Sequence, residues 1–313
     1  MSHTIPIAII GFGKIAVDQH LPAITANPRF QMAGSVRRSG QGPDPKFASH
    51  TDLIAAVKGL EAAAITTPPG PRYAIARDCI AAGLHLMLEK PPTVTTGEIA
   101  ELARLAEAKG TTLFTTWHAQ HHPAVTAAAA LLKGETIAEL KIVWHEDVHK
   151  WHPGQQWVWD AGGFGVFDPG INAFSVATAI LPAPLFVKAA VLTVPSNAQN
   201  AIAAEIDFDS PAAASPDAKL HCSLDWSKTD GEEWTVRVRT GSGKAIELRE
   251  GGAKLFVDGA EQAAQGPGEY PDLYAKFVEL IDAKASLIDV EPLRLVADTL
   301  LVASRVAAPP ITM

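Results

Sequence analysis

The sequence predicts an α/β protein of two domains. A doubly wound parallel sheet comes first, and an α+β domain with a large, mostly antiparallel sheet follows. Apolar runs and helical segments alternate over the first 120 or so residues. A glycine turn directly follows the first apolar run. Later in the chain the strands lengthen and take a period of two. The division reads as 1–120 and 121–313, with the last helix a candidate to pack back on the first domain.

Ile5 to Ile10 is apolar without alternation, as a strand buried on both faces must be. A helix through about Ala26 and a strand over Phe30–Val36 follow. Thr51–Lys58 reads as a short helix with Thr51 or Asp52 near its start, and Ala62–Thr66 as the third strand. Pro71–Ala82 is a helix stopped by Gly83, and Leu84–Leu88 the fourth strand. Thr95–Lys109 carries an apolar stripe of Ile99, Leu102 and Leu105, with Thr96 as its cap and Gly110 at its end. Thr111–Thr116 is another strand. After a helix near Pro123–Lys133, Trp234–Thr240 alternates most clearly. Leu140–His149, Phe186–Val194, Ala201–Phe208, Lys219–Trp226, Ala245–Arg249 and Lys254–Val257 are further strands, and helices over Pro271–Ala285 and Glu291–Val306 close the chain. The long strands are expected to carry a face that no helix covers, which a homodimer would bury.

Hydrophobic residues make up 47% and charged residues 19% of 313, the balance of a well-buried globular protein. Acidic residues exceed basic ones, 34 to 26, so nothing draws nucleic acid or an anionic membrane. No apolar run is long enough to span a bilayer, and no signal-peptide pattern opens the chain. Cys79 and Cys222 lie far apart with no CxxC partner, as in a reduced cytoplasmic protein.

Gly11-Phe12-Gly13-Lys14-Ile15-Ala16 is a GxGxxA turn between a strand and a helix, the fingerprint of a dinucleotide-binding Rossmann domain. Gly11 permits the turn, Gly13 lets a pyrophosphate approach the backbone, and Ala16 allows close helix packing. An NAD site usually places a carboxylate at the end of the second strand. Here Arg37-Arg38-Ser39 stands there instead, and guanidiniums suit the 2′-phosphate of NADP. NADP is therefore the preferred cofactor, with NAD as the alternative. Thr67-Pro68-Pro69 follows the third strand at the same sheet edge, and Glu89-Lys90-Pro91 follows the fourth. A lysine there reaches the cleft where nicotinamide and substrate meet, and the proline behind it restricts the backbone. The candidate cofactor contacts are Gly11, Phe12, Gly13, Lys14, Ile15, Arg37, Arg38, Ser39, Thr67, Pro68, Pro69, Glu89 and Lys90.

The densest stretch runs from Asp160 through Gly162, Gly163 and Gly165 to Asp168 and Asn172. Its glycines read as a loop that wraps a ligand. With a helix starting at about Pro169, Asp168 is either its N-cap or a functional carboxylate, and Asn172 lies one turn in. Upstream, Glu146, Trp151, His152, Trp157 and Trp159 bring polar groups and aromatic faces together, as sugar rings require. A metal reading of His145, His149 and His152 is set aside: on a strand the first two share a face and His152 falls opposite, and hydride transfer needs no metal.

With Gly11–Ala16, Glu89-Lys90-Pro91 and the Asp168–Asn172 segment in that order, the chain resembles the glucose–fructose oxidoreductase/inositol dehydrogenase (Gfo/Idh/MocA) family over essentially its whole length. Within it, the run from His145 to Phe174 looks like the bacterial L-arabinose and D-galactose 1-dehydrogenases. The resemblance implies that Lys90 works at the substrate and nicotinamide and that 168–172 supplies the other catalytic groups. It also implies that the open face of the second sheet makes an oligomer. Many members carry histidine where this chain has Asn172, and asparagine cannot titrate, so the proton acceptor lies elsewhere. The aldose 1-dehydrogenases of this type have Asp and Asn at these two positions.

The expected activity is NAD(P)-dependent oxidation of a pyranose, such as L-arabinose or D-galactose, at C1 to the lactone. Lys90 and Asp168 would act on the C1 hydroxyl and Asn172 would bond the sugar, while His118, Glu146, Trp151 and His152 complete the substrate contacts. The alternatives are an inositol or diol dehydrogenase of the same family and a catalytically silent NADP-binding regulator.

Overall fold

Ile5–Ile10 forms strand β1, buried at every position but Pro6, at the centre of a parallel sheet. The computed structural model describes residues 3–38, 40 and 42–312. The sheet has six strands, joined by β2 (Phe30–Val36), β3 (Lys46–Phe47), β4 (Ala62–Ile65), β5 (His85–Leu88) and β6 (Leu113–Thr115). Their order is β3-β2-β1-β4-β5-β6, all parallel. The chain runs from β1 to β2 and β3 on one side, then crosses back to β4 on the other side of β1. Ligands of open α/β sheets bind outside the carboxyl ends at such a switch point. The segments after β1, β4 and β5 all emerge at that edge.

Helices α1 (Leu21–Ala26), α2 (His50–Ala56), α3 (Pro69–Ala81) and α4 (Thr96–Lys109) connect the strands. The α2 cap is Ser49, whose hydroxyl accepts from Asp52 N at 3.1 Å, rather than Thr51 or Asp52. At α4 the cap is Thr95 rather than Thr96. Its hydroxyl accepts from Glu98 N while Glu98 accepts from Thr95 N, a complete capping box.

The second unit begins with α5 (Pro123–Leu132), β7 (Ile137–His145), α6 (Val148–Trp151) and α7 (Phe167–Ile180). Strands β8 (Phe186–Pro195), β9 (Ala203–Asp209), β10 (Lys219–Asp225), β11 (Glu233–Thr240), β12 (Ala245–Arg249), β13 (Lys254–Val257) and β14 (Ala260–Gln262) follow. Helix α8 (Glu269–Ala283), helix α9 (Glu291–Val302) and strand β15 (Ser304–Ala308) end the chain. The nine-stranded sheet runs β14-β13-β12-β11-β7-β10-β9-β8-β15. Its pairs are antiparallel except β10 with β7 and β15 with β8. The expected strand over Leu140–His149 stops at His145, because Asp147 caps α6 by accepting from His149 N at 2.9 Å. The expected helix to Val306 stops at Val302, and Ser304–Ala308 pairs with β8 instead.

Period two shows on β9, where Ala204, Ile206 and Phe208 are buried and Glu205, Asp207 and Asp209 are exposed. The exposed face is polar. His221 lies 2.8 Å from both Asp207 and Glu205, and Arg237 bridges Glu233 and Glu247 at 2.9 and 2.7 Å.

The chain divides differently from 1–120 and 121–313. The first unit holds residues up to His118 together with Pro267–Val290, and the second holds Ala119–Gly266 and the residues from Glu291. The helix that returns is thus α8, and the last helix α9 stays in the second unit. Tyr270, Leu273, Tyr274 and Phe277 of α8 join Ile5, Ile7, Ile9, Phe30 and Phe114 in one core. The Phe30 ring lies 5.5 Å from Tyr274 and 6.0 Å from Phe277. Burying four side chains of this size is worth roughly 6–12 kcal/mol of transfer free energy, on the scale of a domain's whole stability. Both cysteines are buried and free, and burial pushes the Cys79 thiol up to about 12, so neither is a nucleophile at neutral pH.

Candidate active site

The turn after β1 needs its first glycine. Gly11 has φ +99°, and a Cβ there would fall 2.6 Å from Thr67 N, so the turn lies against the segment after β4. The Thr66 hydroxyl donates to Gly11 O and ties the two segments together. At Gly13 a Cβ would meet no protein atom within 4 Å, so the backbone is open to close approach. Helical bonding starts at Lys14, and Ala16–His20 is wound as a π-turn that buries both Ala16 and His20. Ile15 is exposed, Lys14 pairs with Asp18, and Phe12 lies beside Arg37. After β4, Thr67 holds a buried hydroxyl with no hydrogen-bond partner, Pro68 is exposed, and Pro69 opens α3. A dinucleotide fits this set: a helix N-terminus, backbone room at Gly13 and an orphaned hydroxyl at Thr67.

The two arginines after β2 separate. Arg37 is buried, and its guanidinium donates to Ser35 Oγ, to Pro43 O at 2.6 Å and to Gly40 O, with Asp44 at 3.3 Å. It therefore holds the loop that follows its own strand, against the expectation of an open phosphate fork. Arg38 is exposed and is the cation left at the end of β2. Ser39 lies outside the described residues.

After β5 the chain is held on every side. Glu89 is buried, and its Oε1 lies 2.7 Å from the Tyr270 hydroxyl and 3.1 Å from His20 Nε2. Its Oε2 accepts from Lys90 N at 2.8 Å. Burial works against the charge, but His20, the charge of His118 and the Tyr270 hydroxyl outweigh it and hold the carboxyl at about 2. Glu89 is thus an internal anchor rather than a cofactor contact. Arg72 of α3, also buried, donates to the carbonyls of Glu89, Pro91 and Thr67. The Lys90–Pro91 peptide is cis, and Lys90 itself is half-buried. His118 is half-buried, bonded through Nδ1 to Glu269 at 2.7 Å and stacked on Tyr270.

In the second unit, α7 begins at Phe167 with Val166 at its cap position. Asp168 is therefore in the first turn and is not the N-cap. Its carboxylate lies 3.2 Å from His152 Nε2, with both side chains largely out of solvent. The His152 ring stands edge-on to Trp226 at 5.1 Å, and Nδ1 lies 3.4 Å from Gln155. Asn172, one turn along α7, has a buried Oδ1 with no partner. Glu146 is buried between two indoles, accepting from Trp226 at 3.0 Å and Trp234 at 2.9 Å. Trp151 is exposed, and Glu232 accepts its N–H at 2.6 Å.

Two of the glycines before α7 are demanded by packing. A Cβ at Gly163 would fall 1.9 Å from Trp157 O, and one at Gly165 would fall 2.5 Å from Ala201 O. Asn200 secures the same loop by donating to Val158 O and Asp160 O at 3.0 and 2.6 Å. His149 and His152 belong to the α6 turn while His145 ends β7. Among the described residues no group of His, Cys, Asp and Glu is arranged to hold a metal ion.

A family model described as an oxidoreductase family with an NAD-binding Rossmann fold matches residues 5–117. Over 306 residues the chain is 42% identical to a galactose 1-dehydrogenase of Pseudomonas fluorescens, covering 97% of each protein. The chain belongs to the Gfo/Idh/MocA family of oxidoreductases. This Gfo/Idh/MocA protein is also similar in structure to a D-galactose-1-dehydrogenase from Rhizobium etli, with a TM-score of 0.93 and 40% identity over 100% of this chain and 99% of the other. KijD10, a 3-ketoreductase from Actinomadura kijaniata in complex with TDP-benzene and NADP, matches at a TM-score of 0.83 and 17% identity, over 98% of this chain and 100% of that one. That second likeness is one of fold. The first unit of this Gfo/Idh/MocA oxidoreductase is an NAD(P)-binding Rossmann domain.

Sequence reasoning missed Arg72, His20, Tyr270 and Tyr274 around the Glu89 segment of the first unit of this Gfo/Idh/MocA protein, and Trp226 beside Glu146 and His152 in the second. Each sits in an ordinary helical or strand pattern. One signal was available: His20 falls four residues after Ala16, on the face that the glycine turn directs inward.

Proposed function

We propose that the chain is an NAD(P)-dependent aldose 1-dehydrogenase that oxidises D-galactose or L-arabinose at C1 to the lactone. The observation that carries this is the first turn of α7. There an Asp168 carboxylate paired with His152 stands one turn from the unpartnered Oδ1 of Asn172. The extended likeness to galactose 1-dehydrogenases supports the same reading.

NAD(P), held at the Gly11–Gly13 turn and the Thr67 segment, would supply the acceptor for the hydride of C1. The Lys90 ammonium donates to the C1 oxygen and fixes its direction. Asp168 accepts the hydroxyl proton as the carbonyl of the lactone forms, and His152 holds the carboxylate in place. Asn172 Oδ1 accepts a sugar hydroxyl, which satisfies an atom the fold leaves unpaired. His152 supplies an aromatic edge for the apolar side of the ring, backed by the buried indole of Trp226 at 5.1 Å. The two sugars differ only in the C5 hydroxymethyl group, so a site that reads the ring hydroxyls accepts either. The deciding assay follows reduced-cofactor absorbance with a panel of aldoses and cyclitols. Turnover on cyclitols alone would establish an inositol-type enzyme, and no turnover on any compound would establish a silent nucleotide-binding protein.

For the cofactor we propose NADP over NAD, now resting on Arg38. A guanidinium bond to phosphate is worth roughly 1.5–3 kcal/mol, so Arg38→Ala should raise KM for NADP by about 10- to 100-fold. KM for NAD should stay within about twofold. Removing Arg37 should instead weaken both cofactors, because it holds the loop. Equal effects of Arg38→Ala on the two cofactors would defeat the preference.

A homodimer is the assembly that the exposed, ion-paired face of the nine-stranded sheet supports. Light scattering at micromolar concentration should give twice the 33.1 kDa chain mass, and a monomer mass refutes it. Buried free thiols support a cytoplasmic location. Among the described residues no helix is long and apolar enough to cross a membrane.

A further inference from the structure

We propose that Tyr270 and His20 are positioning residues for Lys90, so that α8, a helix from the far end of the chain, sets the geometry of the reacting lysine. This rests on the reading of Lys90 as the ammonium that contacts the sugar.

The hydrogen bonds form one directed chain. The Tyr274 hydroxyl lies 2.8 Å from His20 Nδ1, and His20 Nε2 lies 3.1 Å from Glu89 Oε1. With the proton on Nε2, an assignment made from this network, Tyr274 donates to His20 and His20 donates to Glu89. Tyr270 donates to the same oxygen at 2.7 Å, across 181 residues of sequence. The other oxygen, Oε2, accepts from the Lys90 main chain at 2.8 Å. Burial and the Glu89 charge both raise the Tyr270 phenol well above its ordinary value, so it stays a donor.

None of these groups is open to solvent: His20 and Tyr274 are 0% exposed and Tyr270 2%. They act on other protein atoms. Stability alone gives no reason for the arrangement, since apolar side chains of similar volume generally stabilise a core at least as well as a buried ionised group. What the network does achieve is directional. It holds one carboxylate oxygen so that the other meets the N–H of Lys90. A lysine carries a flexible four-carbon stem, so fixing its main chain is the control that the fold can exert. The His118 ring packs on the Tyr270 ring at 5.7 Å with an 18° interplanar angle and keeps that phenol in place.

The test is a double-mutant cycle between Tyr270→Phe and Lys90→Met, measured as single-turnover reduction of NADP with D-galactose and as melting temperature. Tyr270→Phe keeps the ring and its stack on His118 and removes only the hydroxyl. It should lower kcat about 10-fold or more while leaving KM for NADP unchanged, on the scale of a hydrogen bond to a charged group. In the Lys90→Met background the same change should lower the rate no further, although it should lower the melting temperature equally in both backgrounds. An additive rate loss, or an unchanged kcat in the single variant, overturns the proposal. If Lys90→Met alone keeps normal turnover, the reading of Lys90 has failed and the positioning role falls with it, an outcome visible in that variant by itself. Should Tyr270→Phe not fold, Tyr274→Phe, one bond further along the chain, enters the same cycle with a smaller expected loss and the same criteria.

Discussion

Asp168→Asn should melt normally, bind NADP normally and lose turnover by a factor of about 10²–10⁴, or roughly 3–5 kcal/mol of barrier. The substitution changes little else. Asparagine has the same shape and can still bond His152, whose Nε2 stands 3.2 Å from the carboxylate. It cannot take a proton. Helix capping no longer competes as an explanation for this residue, since α7 starts at Phe167 and Val166 occupies the cap position. A large loss of rate therefore reports chemistry, measured as kcat with saturating sugar and cofactor. Turnover within a few-fold of the parent would remove Asp168 from the proton transfer and leave His152 as the acceptor to test.

Arg72→Met should be as damaging to stability as Asp168→Asn is to rate. The Arg72 guanidinium is 2% exposed and donates to the carbonyls of Thr67, Glu89 and Pro91. Methionine fills the volume but donates nothing, so three carbonyls lose a charged partner at once. Each unsatisfied buried acceptor costs on the order of 1 kcal/mol or more, for a total near 3 kcal/mol. For a protein of this size that lowers the melting temperature by about 4–5 °C. Arg72→Lys should recover little of it, because one ammonium cannot reproduce a planar fork. Cofactor affinity should fall as well, since Thr67 and Lys90 flank the clamped carbonyls. A melting temperature within about 2 °C of the parent would show that the clamp contributes little.

Much of the first unit was legible because its physics is local. Ile5–Ile10 is apolar throughout, and only a strand covered on both faces uses such a run. The glycine turn announces itself because Gly11 must adopt φ +99° against Thr67. Errors of one or two residues at helix starts came from clustered polar residues such as Ser49, Thr51 and Asp52, any of which is able to cap. The larger misses involve partners distant in sequence. Arg37 and Arg38 are alike on paper, and only the path of the following loop decides which one is buried. The Leu140–His149 run keeps strand-like residues past its end, and the Asp147 cap alone ends the strand. The glycines at 163 and 165 suggest a ligand loop, yet their neighbours are backbone atoms at 157 and 201. An amphipathic pattern shows that α8 buries a face, but it does not say against which sheet.

The return of α8 has a consequence for how the protein is made. A ribosome releases β1 to β6 first, but Tyr270, Leu273, Tyr274 and Phe277, which complete their core, come only after Ala119–Gly266 has been translated. At 5–20 residues per second that interval is about 7–30 s. Throughout it the nascent Rossmann sheet lacks one of its covering helices, and Glu89 lacks the phenol that bonds it. The first unit to emerge is therefore among the last to be finished. A chain cut short anywhere before α8 leaves apolar surface for chaperones to hold or proteases to clear.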